Sequence, residues 1–397
     1  MTPRPTADPT IGERIRARRL LRGWSIRYAA SRAGVSHATW SRIERGRQAA
    51  DNRFMLAEIA AALECSTAEL VGVAVPAADR ETVAAQVAVH GIRQALVEAD
   101  PRERPDRVAP PVAELARTLE LVDALRSDCD YAGAGRLLPD LLRALHAAAA
   151  GPDRARALRM FCEAAFIASA VVRNLGHPAE AWLSAERSRE AAEAADDPVL
   201  VAFAAYARAC AASACGSYER SHALAATAID DLRPHLADHG ALETAGLLQL
   251  ICAEAGRGLK RLDDSRDRIA EAAELAARTG ESDALSLFFG PTNVRIWSIG
   301  IEVDGGEPGR AVAIAESTNP ATIAAGCRQV FYYADTARAL AQTRGRDREA
   351  IRFLLTAERI APQHLHASPL AQETTRSLLN RSGGAQLRGL CERLGVI

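Results

Sequence analysis

The feature that most constrains the fold is a helix-breaking position about every forty residues between residues 150 and 365. Between these breakers apolar residues recur at helical spacing, and no segment from residue 80 onward alternates as a β-strand does. Five helices are predicted to end near Gly176, Gly216, Leu259, Gly305 and Gly345. A second helix follows each of them and carries a small residue early in its sequence: Ala181, Ser221, Ser265, Ala311 and Ala350. Small side chains let two helices touch, so the segment predicts a row of helix pairs.

These pairs resemble the unit of tetratricopeptide-like (TPR) solenoids, with repeats slightly longer than the usual 34 residues. The resemblance implies an all-α fold with a TPR-like α-solenoid over residues 80–397, which would provide sensing and dimerisation. Less regular pairs are predicted at 112–125 and 131–148, and two short helices at 369–394 are predicted to cap the array. A plain helical bundle is the alternative fold.

In a TPR-like solenoid the first helix of each pair lines the concave face, so the resemblance also implies a ligand groove. The inner positions would be Glu163, Phe166, Arg173, Asn174, Phe203, Tyr206, Thr292, Asn293, Arg295, Tyr332 and Asp335. Aromatic side chains mixed with Arg, Asn and Asp suit a peptide or small-molecule ligand. For each single residue, ordinary packing between helices is the alternative interpretation.

The Gly290-Pro291 step interrupts an otherwise helical pattern and predicts that a new helix starts there. Thr292 and Asn293 would then lie at a helix N-terminus. They would either bind a ligand or serve simply as capping residues.

Composition and charge narrow the class of protein. A chain of 397 residues is too long for one core, and its net charge is −1. Residues 1–75 hold twelve Arg against seven Asp and Glu, so any nucleic-acid contact should be local to this basic head, unless the clustering is chance. Neither a signal peptide nor a membrane span is expected, which predicts a cytoplasmic protein.

The sequence contains no motif for binding a cofactor or a metal ion. The eight cysteines form no CxxC pair, which predicts reduced thiols and no zinc site. His364 and His366 lie in a Pro-flanked segment that is predicted to be a loop. We expect no cofactor and no enzymatic activity, because the sequence also lacks a Walker loop and a GxSxG elbow.

Residues 11–72 predict a small domain of five short helices, preceded by a disordered tail (1–10) and followed by a linker (73–79). Gly34 fits a tight turn, Ser36 can cap the helix that follows, and Trp40 and Ile43 face its inner side. The outer side would present small polar residues and Arg42, as a helix that reads the major groove requires.

The run from Gly34-Val35-Ser36 to Trp40-Ser41-Arg42-Ile43-Glu44-Arg45-Gly46 resembles the phage Cro/repressor (Xre) helix-turn-helix family over about sixty residues. The resemblance implies base-edge contacts from the helix after Ser36 and phosphate contacts around it. The implied DNA-binding residues are Ser25, Arg27, Ser36, His37, Ala38, Thr39, Ser41, Arg42, Arg45 and Arg47. Glu44, within this basic surface, is interpreted as a structural partner for a neighbouring arginine.

One residue departs from the family pattern. Many members have Gln after the capping Ser of the second helix, where it contacts phosphate, but this chain has Ile26 followed by Arg27. Either Arg27 takes over the phosphate contact, or the contact is lost and affinity for DNA is lower.

The whole layout resembles actinobacterial Xre-type regulators with a C-terminal TPR domain, and it is similar in arrangement to peptide-pheromone receptor regulators. The implied function is a transcription regulator that binds a palindromic operator as a homodimer and responds to a peptide or small-molecule ligand. The alternative is a DNA-binding adaptor whose TPR-like domain docks a protein partner without any small ligand.

Overall fold

The computed structural model of the protein describes residues 9–72, 80–99 and 109–397, and these residues are almost entirely helical. The predicted linker, residues 73–79, lies outside the described residues, and so does the predicted tail, residues 1–10, apart from its last two positions. Within the described ranges the only β-type pairing is an isolated bridge between Ser282 and Phe289. The prediction of an all-α fold is confirmed.

The N-terminal domain consists of five short helices, as predicted. They are α1 (Ile11–Leu21), α2 (Ile26–Arg32), α3 (His37–Glu44), α4 (Arg53–Ala62) and α5 (Thr67–Val71). Each begins after a side chain that accepts a hydrogen bond from a backbone N–H of the first turn, and these caps are Thr10, Ser25, Ser36, Asn52 and Ser66. Gly34 has a φ of 65°, which glycine adopts without steric cost, so the chain can turn sharply between α2 and α3.

This domain has an apolar core of its own. Ile15, Trp40, Ile59, Leu63 and Leu70 are fully or almost fully buried within it. Burying an aliphatic side chain of this size contributes about 1.5–3 kcal/mol, so the few large residues account for most of the domain's stabilisation.

The rest of the chain forms sixteen further α-helices in the residues that the structure describes. They are α6 (Arg80–Glu98), α7 (Val112–Ser127), α8 (Tyr131–Ala148), α9 (Arg154–Asn174), α10 (Pro178–Ala194), α11 (Pro198–Ala214), α12 (Tyr218–Leu232), α13 (Ala241–Gly258), α14 (Leu262–Thr279), α15 (Pro291–Asp304), α16 (Pro308–Glu316), α17 (Gly326–Gln342), α18 (Asp347–Ile360), α19 (Pro362–His366), α20 (Pro369–Leu379) and α21 (Ala385–Arg393). The ends predicted from the breakers agree with these bounds. The prediction of a loop around His364 and His366 is wrong, because Pro362 starts helix α19 there.

From α9 to α18 the helices pack as consecutive pairs. The five small residues that the sequence placed early in the second helices are each no more than 1% exposed. Ser221, for example, donates a hydrogen bond from its Oγ to the carbonyl of Ala209 on α11, at 2.9 Å. Close contact between paired helices therefore depends on these positions, as predicted.

The first helices of the pairs also contact one another and close into a ring. Helices α7, α9, α11, α13, α15 and α17 touch in that order, and α17 touches α7 again. Two polar contacts join the closing ends: His364 Nδ1 lies 2.7 Å from the Tyr131 hydroxyl, and Gln363 Oε1 accepts from the backbone N–H of Ala132 at 2.9 Å. The first helices consequently surround a central space instead of lining an open groove.

Candidate DNA-binding surface and interdomain cavity

Helix α3 presents a polar, basic face to solvent. His37, Ala38 and Arg42 are exposed, and Thr39 is half-buried. Ser36 caps the helix, since its Oγ accepts from the Thr39 N–H at 3.0 Å. Arg42 donates from Nε to Gln48 Oε1 at 3.0 Å, which holds the guanidinium at the helix surface. This face has the donors and the room that contacts with base edges require.

Ser41 is less exposed than the other residues of α3 that are predicted to contact DNA. Only 8% of the residue is exposed, because it lies on the same side of α3 as the buried residues Trp40 and Glu44. The helical turn that exposes Arg42 directs Ser41 towards the core, and its contact with DNA stays a prediction.

Exposed arginines precede and follow α3 in the sequence. Arg45 and Arg47 follow the helix and are exposed, and Arg27 is exposed in the first turn of α2. Ile26 is half-buried against the domain core, so the residue that replaces the usual Gln packs while Arg27 stays in solvent. Ser25 is exposed but is occupied as the cap of α2, accepting from the Tyr28 N–H at 3.2 Å. Arg27 is therefore placed where it can reach a phosphate, and that contact stays a prediction.

Glu44 is a structural residue, as the sequence suggested. Its carboxylate accepts from Arg19 Nε at 2.6 Å and Nη2 at 2.8 Å, and from Trp40 Nε1 at 2.6 Å. All three side chains are buried. The hydrogen bonds that Arg19 donates to Glu44 raise the pKa of Arg19 and fix α1 against α3.

The start of helix α4 is docked on the ring of first helices in residues 80–397, the part of the chain called the body from here on. Asn52 donates from Nδ2 to the Asp304 carbonyl at 2.6 Å, and the Arg53 N–H donates to Asp304 Oδ1 at 3.0 Å. Arg53 Nη2 lies 3.1 Å from Asp335 Oδ1 on α17. Phe54 packs edge-to-face on Tyr218, with ring centroids 5.3 Å apart. The helix-turn-helix domain is thus held through the start of α4, while His37, Ala38 and Arg42 of α3 stay exposed.

A buried arginine of the body completes this contact. Arg338 pairs with Asp304 and Asp335, and it donates from Nη2 to the backbone carbonyl of Asp51. Burial raises the pKa of Asp304, but Arg338 and Arg53 outweigh it, and the pKa of this carboxyl lies below its usual value. Asp304 therefore stays charged between Arg53 and Arg338 where the domains meet.

Beneath the docked domain lies a cavity of about 330 Å³ that both domains line. From the helix-turn-helix domain the lining side chains are Arg53, Leu56, Thr67 and Val71; from the body they include Arg173, Asn174, Tyr206, Glu254, Trp297, Arg328, Phe331, Asp335, Arg338 and His364. Its size lies within the range of small-molecule sites, which are about 300–1,000 Å³.

The structure brings four of the predicted groove residues to this cavity: Arg173, Asn174, Tyr206 and Asp335. Phe166 and Phe203 lie near it and pack on each other, with centroids 4.4 Å apart. Glu163 is half-buried on α9 and does not line the cavity.

The other four predicted groove residues lie elsewhere. Arg295 is exposed and donates to the Ser317 carbonyl at 2.6 Å, and Tyr332 donates to the Ala315 carbonyl at 3.0 Å, so both residues face α16. Thr292 is half-buried and its N–H donates to Glu281 Oε1 at 2.9 Å, while Asn293 is fully buried. None of these four residues lines the cavity, so a ligand role for them is separate from this site and stays a prediction. Both amide atoms of Asn293 are buried without a hydrogen-bond partner.

Sequence reasoning missed several residues that line the cavity, above all Arg53, Arg328 and His364. Arg328 and Phe331 lie three positions apart on one face of α17, which is a weak signal for a shared surface. Nothing in the local pattern around Arg53 or His364 indicates that these residues meet. The two histidines of α19 have separate partners, since His366 Nε2 lies 3.0 Å from Glu358 Oε1.

No helix among the described residues has the length and apolar character needed to cross a membrane.

Comparison with known proteins supports the assignment of the N-terminal domain. Residues 10–71 match the family model described as a helix-turn-helix domain. No curated protein matches the chain. The matched range covers α1 to α5, and domains of this kind bind DNA through the helix that corresponds to α3. The chain therefore carries an N-terminal helix-turn-helix domain, which implies DNA as its partner, followed by an all-helical region.

Proposed function

We propose that this protein is a cytoplasmic, sequence-specific transcription regulator whose affinity for its operator is set by a small molecule in the interdomain cavity. The observation that carries the proposal is the position of the cavity: Arg53 and Leu56 belong to the helix-turn-helix domain, and they line the same space as Arg173 and Tyr206 of the body. The proposal assigns a binding role and no catalytic one.

DNA binding is supported by the exposure of α3 while α4 is docked. The base-reading residues would be His37, Ala38, Thr39 and Arg42, with Arg27, Arg45 and Arg47 on phosphates. Guanine O6 and N7 are the natural acceptors for Arg42. Selection from a randomised duplex library with the full chain tests this part: one enriched motif supports it, and no enrichment would contradict it.

Ligand control is supported by the way the domains are joined. A ligand alters an equilibrium only through a difference in its affinity for two states. A molecule in this cavity would contact side chains of both domains, so its affinity would differ between docked and released arrangements. Operator affinity of the full chain, measured with and without each fraction of a cell extract that raises its melting temperature, tests this part.

A small molecule fits this site better than a peptide. The body is proposed to be TPR-like, but its first helices close into a ring, and the docked domain lines part of the central space. An extended peptide or a docking protein would need an open groove. We therefore favour a small ligand over the adaptor interpretation, in which the body would hold a protein partner.

A homodimer is part of the proposal because α3 alone can contact only a few base pairs. Two copies on a palindromic operator would double the readout, with half-sites about 34 Å apart. Sedimentation velocity of the full chain, alone and with the selected duplex, tests this part. A single chain per palindromic duplex at saturation would contradict it.

A further inference from the structure

Two arginines of the cavity wall lack the acidic partners that the other cavity arginines have. Arg53 and Arg338 pair with Asp304 and Asp335. Arg173, on α9, and Arg328, on α17, line the same cavity, and within the described part of the chain no carboxylate forms an ion pair with either of them. Glu254 also lines the cavity and acts on Arg173 through space, but its carboxylate pairs with Arg53 at 3.8 Å and accepts from Ser213. A guanidinium without a close carboxylate in a partly buried site favours binding of an anion.

Arg328 makes few polar contacts in this structure. Its Nε is buried without a hydrogen-bond partner, and its guanidinium lies over the Phe331 ring, 5.4 Å from the centroid. Stacking on a ring compensates only part of the desolvation of the charge. The remaining donors of the guanidinium can serve a ligand.

The surroundings of His364 indicate the same positive field. Its ring lies 5.0 Å from that of Phe331, and Nδ1 is engaged by the Tyr131 hydroxyl at 2.7 Å. Burial lowers the pKa of His364 to about 3, and the charges of Arg328, Arg173 and Arg53 add to this effect. His364 is therefore neutral and adds no charge of its own beside Arg173 and Arg328.

The rest of the lining around these arginines is largely apolar and aromatic. Tyr206, Trp297 and Phe331 line the cavity together with Ile251 and Leu370. Such walls suit a flat apolar molecule, while two guanidinium groups suit an oxyanion, which they can hold by charge-assisted hydrogen bonds.

We propose that Arg173 and Arg328 form the anion-binding end of this cavity, and that its ligand is a small organic anion with a carboxylate or phosphate group on an aromatic or similarly flat body. The inference rests on the proposed function for its biological meaning, but the binding site can be tested without DNA.

The test uses the full chain and three matched probes: benzoate, phenyl phosphate and the neutral isostere benzamide. Thermal melting and titration calorimetry are recorded for the unaltered protein, for R173Q and R328Q, and for R352Q, which removes an exposed arginine of α18. We expect benzoate or phenyl phosphate to raise the melting temperature and benzamide to have little effect. The preferred probe distinguishes a carboxylate ligand from a phosphate ligand.

The variants separate a ligand site from a structural role. R173Q and R328Q should weaken binding of the anion about tenfold or more, and R352Q should leave it unchanged. Without any probe, R328Q should melt at the same or a higher temperature than the unaltered protein, because it removes an unpaired charge. A clear drop in that temperature would indicate a packing role and contradict the proposal.

Equal effects of benzoate and benzamide, or no effect of either anion at millimolar concentration, would overturn the anion site. Operator affinity is measured separately with the preferred anion. Anion binding that leaves operator affinity unchanged would contradict ligand control while the site itself stands.

Discussion

Arg53, in the first turn of helix α4, lies with Nη2 3.1 Å from Oδ1 of Asp335 on helix α17. The same carboxylate oxygen accepts from Arg338 Nη1 at 2.7 Å. Because Arg53 and Asp335 both line the cavity, one ion pair joins the helix-turn-helix domain to the space beneath it.

Replacing Arg53 with alanine should loosen the docked domain. The variant removes the ion pairs with Asp335 and Asp304, and partly buried charged hydrogen bonds of this kind contribute about 1.5–3 kcal/mol each. We expect amide hydrogen exchange in the segment 50–60 to be about ten times faster or more, measured by mass spectrometry. The matched control is Arg47→Ala, an exposed arginine of the same domain. Unchanged exchange in the Arg53 variant would show that the pair does not hold the domains together.

Replacing Arg42 with alanine should relax base preference at one position of the operator. If Arg42 holds guanine by two hydrogen bonds, the loss is about 1–3 kcal/mol of discrimination, or roughly fivefold to 150-fold. Selection from a randomised duplex library, repeated with each variant, measures this loss. Arg16→Ala is the control, since Arg16 is exposed on α1 and carries the same charge away from α3. A motif that keeps its full preference without Arg42 would remove this residue from the reading surface.

The local structure could be predicted because each element carries its own signals. Caps such as Ser36 and Ser66, and breakers such as Gly176 and Pro198, act within a few residues of their position in the chain. The exposure of α3 follows from the same logic, with the exception of Ser41. The closed ring could not be predicted, because α17 and α7 are far apart in the sequence and local periodicity does not indicate which distant helices pack together.

The cavity was only partly predictable for the same physical reason. Arg173 and Tyr206 were found because they lie on first helices. Arg53 was missed because its partners Asp304 and Asp335 are more than 250 positions away in the sequence. Arg338 would be interpreted as a solvated residue from its charge alone, yet only 2% of it is exposed. Paired charges can be buried at a domain contact, and sequence reasoning from one chain cannot tell which charges are paired.

Replacing Glu44 with glutamine should strongly destabilise the helix-turn-helix domain. The change removes the charge that holds the Arg19 guanidinium in the core, where only 8% of the arginine side chain is exposed. Breaking a buried pair by removing one partner costs about 3–5 kcal/mol. Chemical denaturation of the full chain measures this loss when unfolding is monitored by hydrogen exchange in residues 11–70.

The control variant is Glu58→Gln. In the unaltered protein the Glu58 carboxylate pairs with the exposed side chain of Lys260. A surface pair of this kind contributes about 0–1 kcal/mol, so this variant should retain nearly full stability. Equal stability of the two variants would argue against a structural role for Glu44.

Replacing Glu163 with glutamine should stabilise the protein in a manner that depends on pH. Burial raises the pKa of Glu163 to about 7, with Arg159 opposing and Asp123 supporting the shift. A carboxyl whose pKa is higher in the folded than in the unfolded state costs stability once it ionises, so the cost appears as pH rises from about 4.5 to 7 and is complete above 7.

Thermal melting of Glu163→Gln should therefore match that of the unaltered protein at pH 4. Above pH 7 the variant should be more stable by up to about 3 kcal/mol. Glu274→Gln, an exposed carboxylate on α14, should show no such trend. A stability gain that is the same at pH 4 and pH 8 would show that the substitution acts through packing and not through the charge of Glu163.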